Sequence, residues 1–100
     1  MAPEESGNIR ELKNFIGGEF ITSGNTFENT TPVDGTLLSN VHAATKDMLD
    51  DAVKAARKAY KEFWGKMPVA ERCDILYAVA DGIDARTDEF IEAETMDTGK

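Results

Sequence analysis

The spacing of apolar residues changes along the chain, from short strand-like pairs in the first part to long helical stripes in the second. The first pairs are Phe15-Ile16 and Phe20-Ile21, and Gly17-Gly18 lies between them. Glycine tolerates the positive φ that tight hairpin turns require, so this pattern predicts a β-hairpin.

A second hairpin is predicted just after the first. Residues 26–30 have strand-like character, residues 32–35 read Pro-Val-Asp-Gly, and residues 36–41 form the returning strand. Proline presets the φ of a turn and glycine closes it. Four short strands with few large apolar residues do not make a self-sufficient sheet, because their edges present unpaired backbone groups. We therefore expect this part of the chain to pack on something else.

From Thr45 onward the apolar residues recur every three or four positions, as in amphipathic helices. Thr45 is the expected N-cap of a first helix, with Asp47 in its first turn. We expect Trp64-Gly65 to end this helix, with glycine in the left-handed cap conformation. The residues that form its apolar stripe are Leu49, Ala52, Val53, Ala56, Ala59, Tyr60 and Phe63.

Two more helices are predicted after Pro68. The apolar side of the second is wider than a half-buried face, so this helix needs neighbours on more than one side. Thr87 is the expected cap of the third helix, and Asp97-Thr98-Gly99 is expected to end it. The second helix carries Val69, Cys73, Ile75, Leu76, Ala78, Val79, Ala80 and Ile83 on its apolar side.

The chain is long enough for one domain at most. It has 100 residues, of which 41% are hydrophobic, and a core of this size covers its apolar surface poorly. Residues 1–13 are polar and lack a hydrophobic pattern, so we expect a mobile leader there. Residues 14–100 would then form an incomplete portion of a larger domain.

Charge and composition exclude several classes of function. The net charge is −8, from 19 acidic and 11 basic residues, whereas nucleic-acid binding needs clustered Lys and Arg. No run reaches the eighteen or so apolar residues that a membrane helix needs. The single cysteine excludes an internal disulfide, and no signal-peptide pattern is present. We expect a cytoplasmic protein that binds neither nucleic acid nor membrane.

No catalytic set emerges from the residue types. Cys73 lies on the apolar stripe of the second predicted helix, where a thiol behaves as a small hydrophobe rather than a nucleophile. His42 has no second histidine or cysteine at metal-ligand spacing, so we expect a surface or loop histidine. The acid pairs Asp81/Asp84 and Glu92/Glu94 on the helices have no apolar pocket that would raise a carboxyl pKa. We therefore expect exposed acids there rather than a catalytic pair.

Taken in order, several segments resemble the start of the aldehyde dehydrogenase superfamily, and the closing run is the most specific of them. Residues 64–66, 69–72 and 79–83 look most like bacterial 2-hydroxymuconic and 2-aminomuconic semialdehyde dehydrogenases, which act in the meta-cleavage breakdown of aromatic compounds. A betaine aldehyde or general aliphatic enzyme is the alternative. The segments that carry the superfamily resemblance are residues 14–20, 31–35, 51–60, 70–72 and 94–100, together with Phe27, Trp64, Ile75-Leu76 and Ala80-Asp81.

The resemblance implies an α/β fold. Two β-hairpins and three α-helices would pack beside a Rossmann-type cofactor domain as the amino-terminal part of an aldehyde dehydrogenase. It also implies a reaction in which a cysteine thiolate attacks an aldehyde, hydride passes to NAD or NADP, and glutamate-assisted water releases the acid. In the family those residues lie beyond position 100. The parent oxidoreductase is expected to be a homodimer or homotetramer, and this segment alone is expected to be inactive.

The resemblance further implies a monovalent cation site for Na⁺ or K⁺. By position it would use the backbone carbonyls of Asn29 and Thr30 and the carboxyl region of Asp97, because hard cations take oxygen ligands. The competing explanation is that Asp97 accepts backbone N–H groups at a helix end.

A second class of function stays open from the residues alone. The chain would then be a free-standing acidic α/β interaction domain, whose strands and helices bury each other and bind a partner protein without catalysis.

Overall fold

The computed structural model describes residues 9–100, which form two small sheets followed by three helices. The strands are β1 (Arg10–Leu12), β2 (Asn14–Ile16), β3 (Glu19–Ile21), β4 (Thr26–Thr30) and β5 (Leu37–His42). The helices are α1 (Lys46–Glu62), α2 (Val69–Asp84) and α3 (Thr87–Thr98), with a 3₁₀ turn at Trp64–Lys66. This α/β architecture confirms the two hairpins and the three helices, in the predicted order.

The first predicted hairpin is present as the antiparallel pair β2–β3. Gly17 and Gly18 adopt φ of 59° and 86° at its turn, the conformation for which glycine is favoured. Phe15 lies opposite Phe20, and their ring centroids are 4.9 Å apart.

The second predicted hairpin is the antiparallel pair β4–β5, and it contains a β-bulge. Asn29 pairs with Ser39 while Thr30 pairs with Leu37, so Leu38 is the additional residue. Thr31 closes the turn, because its N–H donates to Thr36 O and its O accepts from Gly35 N–H, both at 2.9 Å.

The structure differs from the expected leader at β1. Residues 1–8 of that leader lie outside the described residues, but Arg10–Leu12 runs parallel to β5, with Leu12 opposite Val41. The three-stranded sheet therefore has the order β1-β5-β4. The physical reason is that β5 would otherwise present an unpaired backbone edge, and three residues are too few to give a hydrophobic period.

The first helix begins where predicted but ends differently. Thr45 Oγ1 accepts the Met48 N–H at 3.1 Å, which satisfies one of the unpaired donors at the helix start. The expectation of a left-handed cap at Gly65 is wrong, since this residue lies inside the 3₁₀ turn without a positive φ. Glycine is required there for space: a Cβ would lie 2.8 Å from Tyr60 O.

The ends of α3 show one correction and one confirmation. Arg86, not Thr87, is the N-cap residue, because the Thr87 hydroxyl instead donates to Asp84 O at 2.7 Å. At the other end α3 stops at Thr98 and Gly99 as predicted, and Gly99 is left-handed, with φ 78° and its N–H donating to Thr95 O.

Residues 9–100 contain no buried apolar side chain; the buried residues are Thr31, Ser39 and His42. The Cα radius of gyration is 16.8 Å, against about 13 Å for a compact domain of 100 residues. The elements therefore do not bury one another, which contradicts the free-standing domain alternative and agrees with packing on something else. None of the helices in residues 9–100 combines the length and apolar character needed to cross a membrane.

Candidate cation site where the second hairpin meets the third helix

Two of the residues expected to hold a cation are in direct contact. Asn29, near the end of β4, donates a hydrogen bond from Nδ2 to Asp97 Oδ1 at 2.8 Å. The two residues are 68 positions apart in the chain. The fold thus brings the end of one strand to the last turn of α3, as the resemblance implies.

The β-bulge lies at this contact. The register changes between Asn29 and Thr30 because Leu38 of β5 is the additional residue, and a bulge leaves its additional residue unpaired. The carbonyls of Asn29 and Thr30 were the ones expected to face a cation, and both residues keep partners on β5. The bulge therefore makes the sheet irregular opposite the residue that contacts Asp97.

A close approach between α3 and the turn after β4 fixes the same junction. A Cβ on Gly99 would lie 3.2 Å from Pro32 Cγ and 3.8 Å from Val33 Cγ2. The left-handed glycine that ends α3 therefore lets the helix end pack on the turn. Residues 31–35 and 94–100, which carried much of the sequence resemblance, meet here.

A groove of about 230 Å³ lies beside the Asn29–Asp97 contact, between the sheet and α3. Ser39 is only 2% exposed, and its hydroxyl makes no hydrogen bond to any residue in the range 9–100. A buried polar atom without a partner is costly, and Ser39 is one of the residues that line the groove. The groove is lined by Arg10, Leu38 and Ser39 from the sheet and by Glu92, Met96 and Asp97 from α3, among others.

An ion pair lies at the other end of the groove. Arg86 Nε donates to Glu89 Oε2 at 2.7 Å, and Arg86 Nη2 donates to Glu89 Oε1 at 3.1 Å. This two-pronged hydrogen bond lowers the pKa of Glu89, and the charge of Arg10 contributes in the same direction. The same pair raises the pKa of Arg86. At this end of the groove, the positive charges of Arg86 and Arg10 therefore lie near the Glu89 carboxylate.

A hard cation takes oxygen ligands. The Asp97 carboxylate, which accepts from the Asn29 side chain, is a donor of the type that fits such an ion. The competing explanation was that Asp97 accepts backbone N–H groups at the end of α3. Its carboxylate instead accepts from the Asn29 side chain, and the N–H of Gly99 donates to Thr95 O. Residues 9–100 hold no cluster of three His, Cys, Asp or Glu side chains suited to a metal.

The remaining chemical candidates lie elsewhere. Cys73 is exposed on α2. The expectation of a surface or loop histidine at position 42 is wrong, since His42 is the last residue of β5 and is 8% exposed. Its burial follows from partners that residue types alone did not indicate: Nδ1 accepts the Ser23 N–H at 3.1 Å, and Nε2 lies 3.4 Å from Glu11 Oε1. Ser39 was also missed, because a serine in a strand carries no pattern of its own.

Comparison with known proteins shows the family to which the chain belongs. The aldehyde dehydrogenase family profile matches residues 20–100. A 2-hydroxymuconic semialdehyde dehydrogenase from Pseudomonas sp. (strain CF600) is 53% identical over 94 residues, which are 92% of this chain and 19% of that protein. A 2-aminomuconic 6-semialdehyde dehydrogenase from Pseudomonas sp. is 38% identical over 92 residues, again 92% of this chain and 19% of that protein.

A solved structure supports the same assignment. The NAD-dependent aldehyde dehydrogenase from Sinorhizobium meliloti superposes with a TM-score of 0.87 at 29% identity, covering 100% of this chain and 22% of that one. The chain therefore spans about a fifth of the length of the proteins it matches. The family profile, the sequence identities and the structural superposition together show that the chain belongs to the aldehyde dehydrogenase family.

Proposed function

We propose that this chain is the amino-terminal segment of an NAD(P)-dependent aldehyde dehydrogenase that oxidises an aldehyde to a carboxylic acid. The family match over residues 20–100 carries this proposal. The exposed apolar sides of α1, α2 and α3 support it, because surfaces of this kind mark places where another part of a protein packs. The partner proposed for them is the remainder of the same polypeptide.

The segment contributes structure rather than chemistry to that reaction. In the family the nucleophilic cysteine, the glutamate and the cofactor loop lie beyond position 100. NAD(P)⁺, when bound there, supplies the hydride acceptor. Residues 9–100 form the strands and the helical layer that would pack beside the cofactor-binding domain. Isolated residues 1–100 are expected to form no NADH from any aldehyde.

The substrate we propose is a muconic semialdehyde formed in aromatic-compound breakdown. The support is the 53% identity to a protein named as a 2-hydroxymuconic semialdehyde dehydrogenase and the 38% identity to a 2-aminomuconic 6-semialdehyde dehydrogenase. The test is kcat/KM of the full-length enzyme, with both NAD⁺ and NADP⁺, on 2-hydroxymuconic semialdehyde, betaine aldehyde and a simple aliphatic aldehyde. Preference for the muconic substrate is expected, whereas equal or higher kcat/KM on either of the others would contradict the proposal.

We also propose that the full-length enzyme binds Na⁺ or K⁺ through the carbonyls of Asn29 and Thr30 and the carboxyl group of Asp97. The contact between the Asn29 side chain and the Asp97 carboxylate supports this site, because it brings two of the proposed ligand residues together. A ligand that binds the folded state stabilises it by about 2.7 kcal/mol at a concentration 100 times its Kd. We therefore expect a higher melting temperature in sodium or potassium chloride than in choline chloride at equal ionic strength.

A matched variant distinguishes the site from a general salt effect. Asp97→Ala should remove the difference between potassium and choline, while Asp81→Ala on α2 should leave it intact. Equal melting temperatures of the unmodified enzyme in the two salts would exclude the cation.

The proposed assembly is a cytoplasmic homodimer or homotetramer. Sedimentation of the full-length enzyme measures this directly. A monomer at assay concentration would contradict the proposal.

A further inference from the structure

His42 fastens the β2–β3 hairpin to the end of β5 at both ends of the hairpin. Its backbone oxygen accepts from Asn14 Nδ2 at 3.0 Å, where β2 begins. Its ring Nδ1 accepts from the Ser23 N–H at 3.1 Å, two residues after β3 ends. A third bond, from Ala43 N–H to Asn25 O at 2.8 Å, lies beside them.

The ring hydrogen bonds define which nitrogen carries the proton. A neutral imidazole has one N–H donor and one acceptor nitrogen. Because Nδ1 accepts from Ser23, the hydrogen is assigned to Nε2, which lies 3.4 Å from Glu11 Oε1 on β1. The neutral ring therefore contacts the hairpin side through Nδ1 and β1 through Nε2.

Protonation would affect the two contacts in opposite directions. A second hydrogen on Nδ1 would face the Ser23 N–H at a separation of 3.1 Å, so two donors would oppose each other. The same event would place a positive ring beside the Glu11 carboxylate, which strengthens that contact. Histidine is the side chain that ordinarily changes charge between pH 5 and 8.

Within residues 9–100, neutral residues face His42 from three other parts of the chain. They are Asn14 on β2, Ser23 in the loop after β3 and Thr26 on β4, which pairs with His42. On β1, Arg10 lines the groove beneath α3, and alternate residues of a strand point to opposite faces. Glu11 is therefore the charged side chain of β1 that faces His42.

We propose that His42 is a proton-dependent clamp, which holds the loop at the end of the β2–β3 hairpin when neutral and releases Ser23 when protonated. Protonation of the ring leaves two hydrogen bonds in place, from Asn14 Nδ2 to His42 O and from Ala43 N–H to Asn25 O. Acidification thus loosens one end of the hairpin, residues 22–25, while β1 stays attached through Glu11. This inference concerns conformation and does not depend on the aldehyde oxidised.

Hydrogen exchange measured by mass spectrometry on the full-length enzyme tests the clamp. After correction for intrinsic exchange rates, the amide of Ser23 should exchange about fivefold faster at pH 5.5 than at pH 8, the factor expected for loss of one net hydrogen bond. Peptides from residues 46–62 serve as the internal reference and should not change.

His42→Asn is the matched variant, because an asparagine Oδ1 can accept from Ser23 but cannot be protonated in this range. Its exchange at residues 22–25 should not depend on pH. Equal pH dependence in the unmodified enzyme and His42→Asn would overturn the proposal, as would faster exchange spread over all peptides.

Glu11→Gln provides a second test that keeps the histidine. Without the carboxylate, the positive ring has no charged partner on β1, so exchange in the β1 peptide should rise at pH 5.5 together with that of residues 22–25. If His42→Asn does not fold, unchanged exchange of the β1 peptide in Glu11→Gln would still contradict the proposal.

Discussion

The side-chain amide of Asn29 and the carboxylate of Asp97 meet at 2.8 Å and join the end of β4 to the last turn of α3. In a segment without a buried apolar side chain among residues 9–100, polar contacts of this kind hold distant elements in place. The junction also contains the Gly99 approach to Pro32.

Removal of the Asn29–Asp97 hydrogen bond should destabilise the full-length enzyme. A double-mutant cycle with Asn29→Ala, Asp97→Ala and the double variant should give a coupling of about 1 kcal/mol, since the bond involves a charged acceptor but is exposed. Thermal unfolding measures it. Glu92→Ala, on the same groove, is the control for lost negative charge, and a coupling near zero would show that the bond contributes nothing.

Gly99→Ala should lower the melting temperature for two reasons. The left-handed φ of 78° costs a non-glycine residue roughly 1–2 kcal/mol, and the added Cβ would press on Pro32. Gly24→Ala is the matched comparison, because Gly24 has φ 75° but nothing within 4 Å of an added Cβ. The difference between the two variants reports the packing of α3 on the turn, and equal losses would mean that this contact has no energetic weight.

Gly65→Ala should destabilise although its backbone is not in the left-handed region. The new Cβ would lie 2.8 Å from Tyr60 O and 3.1 Å from the Tyr60 ring, so the 3₁₀ turn must shift. Gly82→Ala, in the last turn of α2 with nothing within 4 Å of an added Cβ, should instead stabilise by about 0.5–1 kcal/mol. Differential scanning calorimetry of both variants checks the opposite signs.

Thr45→Ala should cost about 1 kcal/mol through loss of the N-cap bond to Met48 N–H. Thr45→Ser keeps the hydroxyl and should stay close to the unmodified enzyme. If both variants lost the same stability, the methyl group rather than the cap bond would be responsible.

The Arg86–Glu89 pair should make stability depend on pH in the acid range. The pKa of Glu89 is lowered in the folded state, first by the hydrogen bond from Arg86. Such a group stabilises the fold above its unfolded pKa of about 4.3, and that stability is lost as the pH falls through the lowered value. Glu89→Gln should therefore differ from the unmodified enzyme in melting temperature at pH 6 more than at pH 3. A constant difference across this range would contradict the assignment.

Sequence patterns predicted the elements better than their ends. The glycine pair, the Pro-Val-Asp-Gly turn and the helical stripes gave both hairpins and all three helices, because each carries a local signal. The β1 strand was missed since its three residues are a strand only in the presence of β5. Thr87 was misplaced as a cap because its hydroxyl has an alternative acceptor in Asp84 O, which only the chain path between two helices supplies.

For the candidate site, the sequence resemblance gave the residues and the structure gave their contact. Nothing in the local pattern relates Asn29 to Asp97, which lie 68 residues apart. Ser39 and His42 could not have been found from the sequence, since their burial depends on α3 and on β1, respectively. Polar residues in short strands become informative only when the neighbouring elements are in place.

The parallel pairing of β1 with β5 has a consequence for the connection between β1 and β4. Leu12 lies opposite Val41 and Thr26 lies opposite His42, so β1 ends and β4 begins at the same end of β5. Two strand spacings separate them, about 10 Å, which three or four residues could bridge, whereas the chain uses residues 13–25. The β2–β3 hairpin is thus longer than the connection requires, and the register of the three-stranded sheet does not depend on its length.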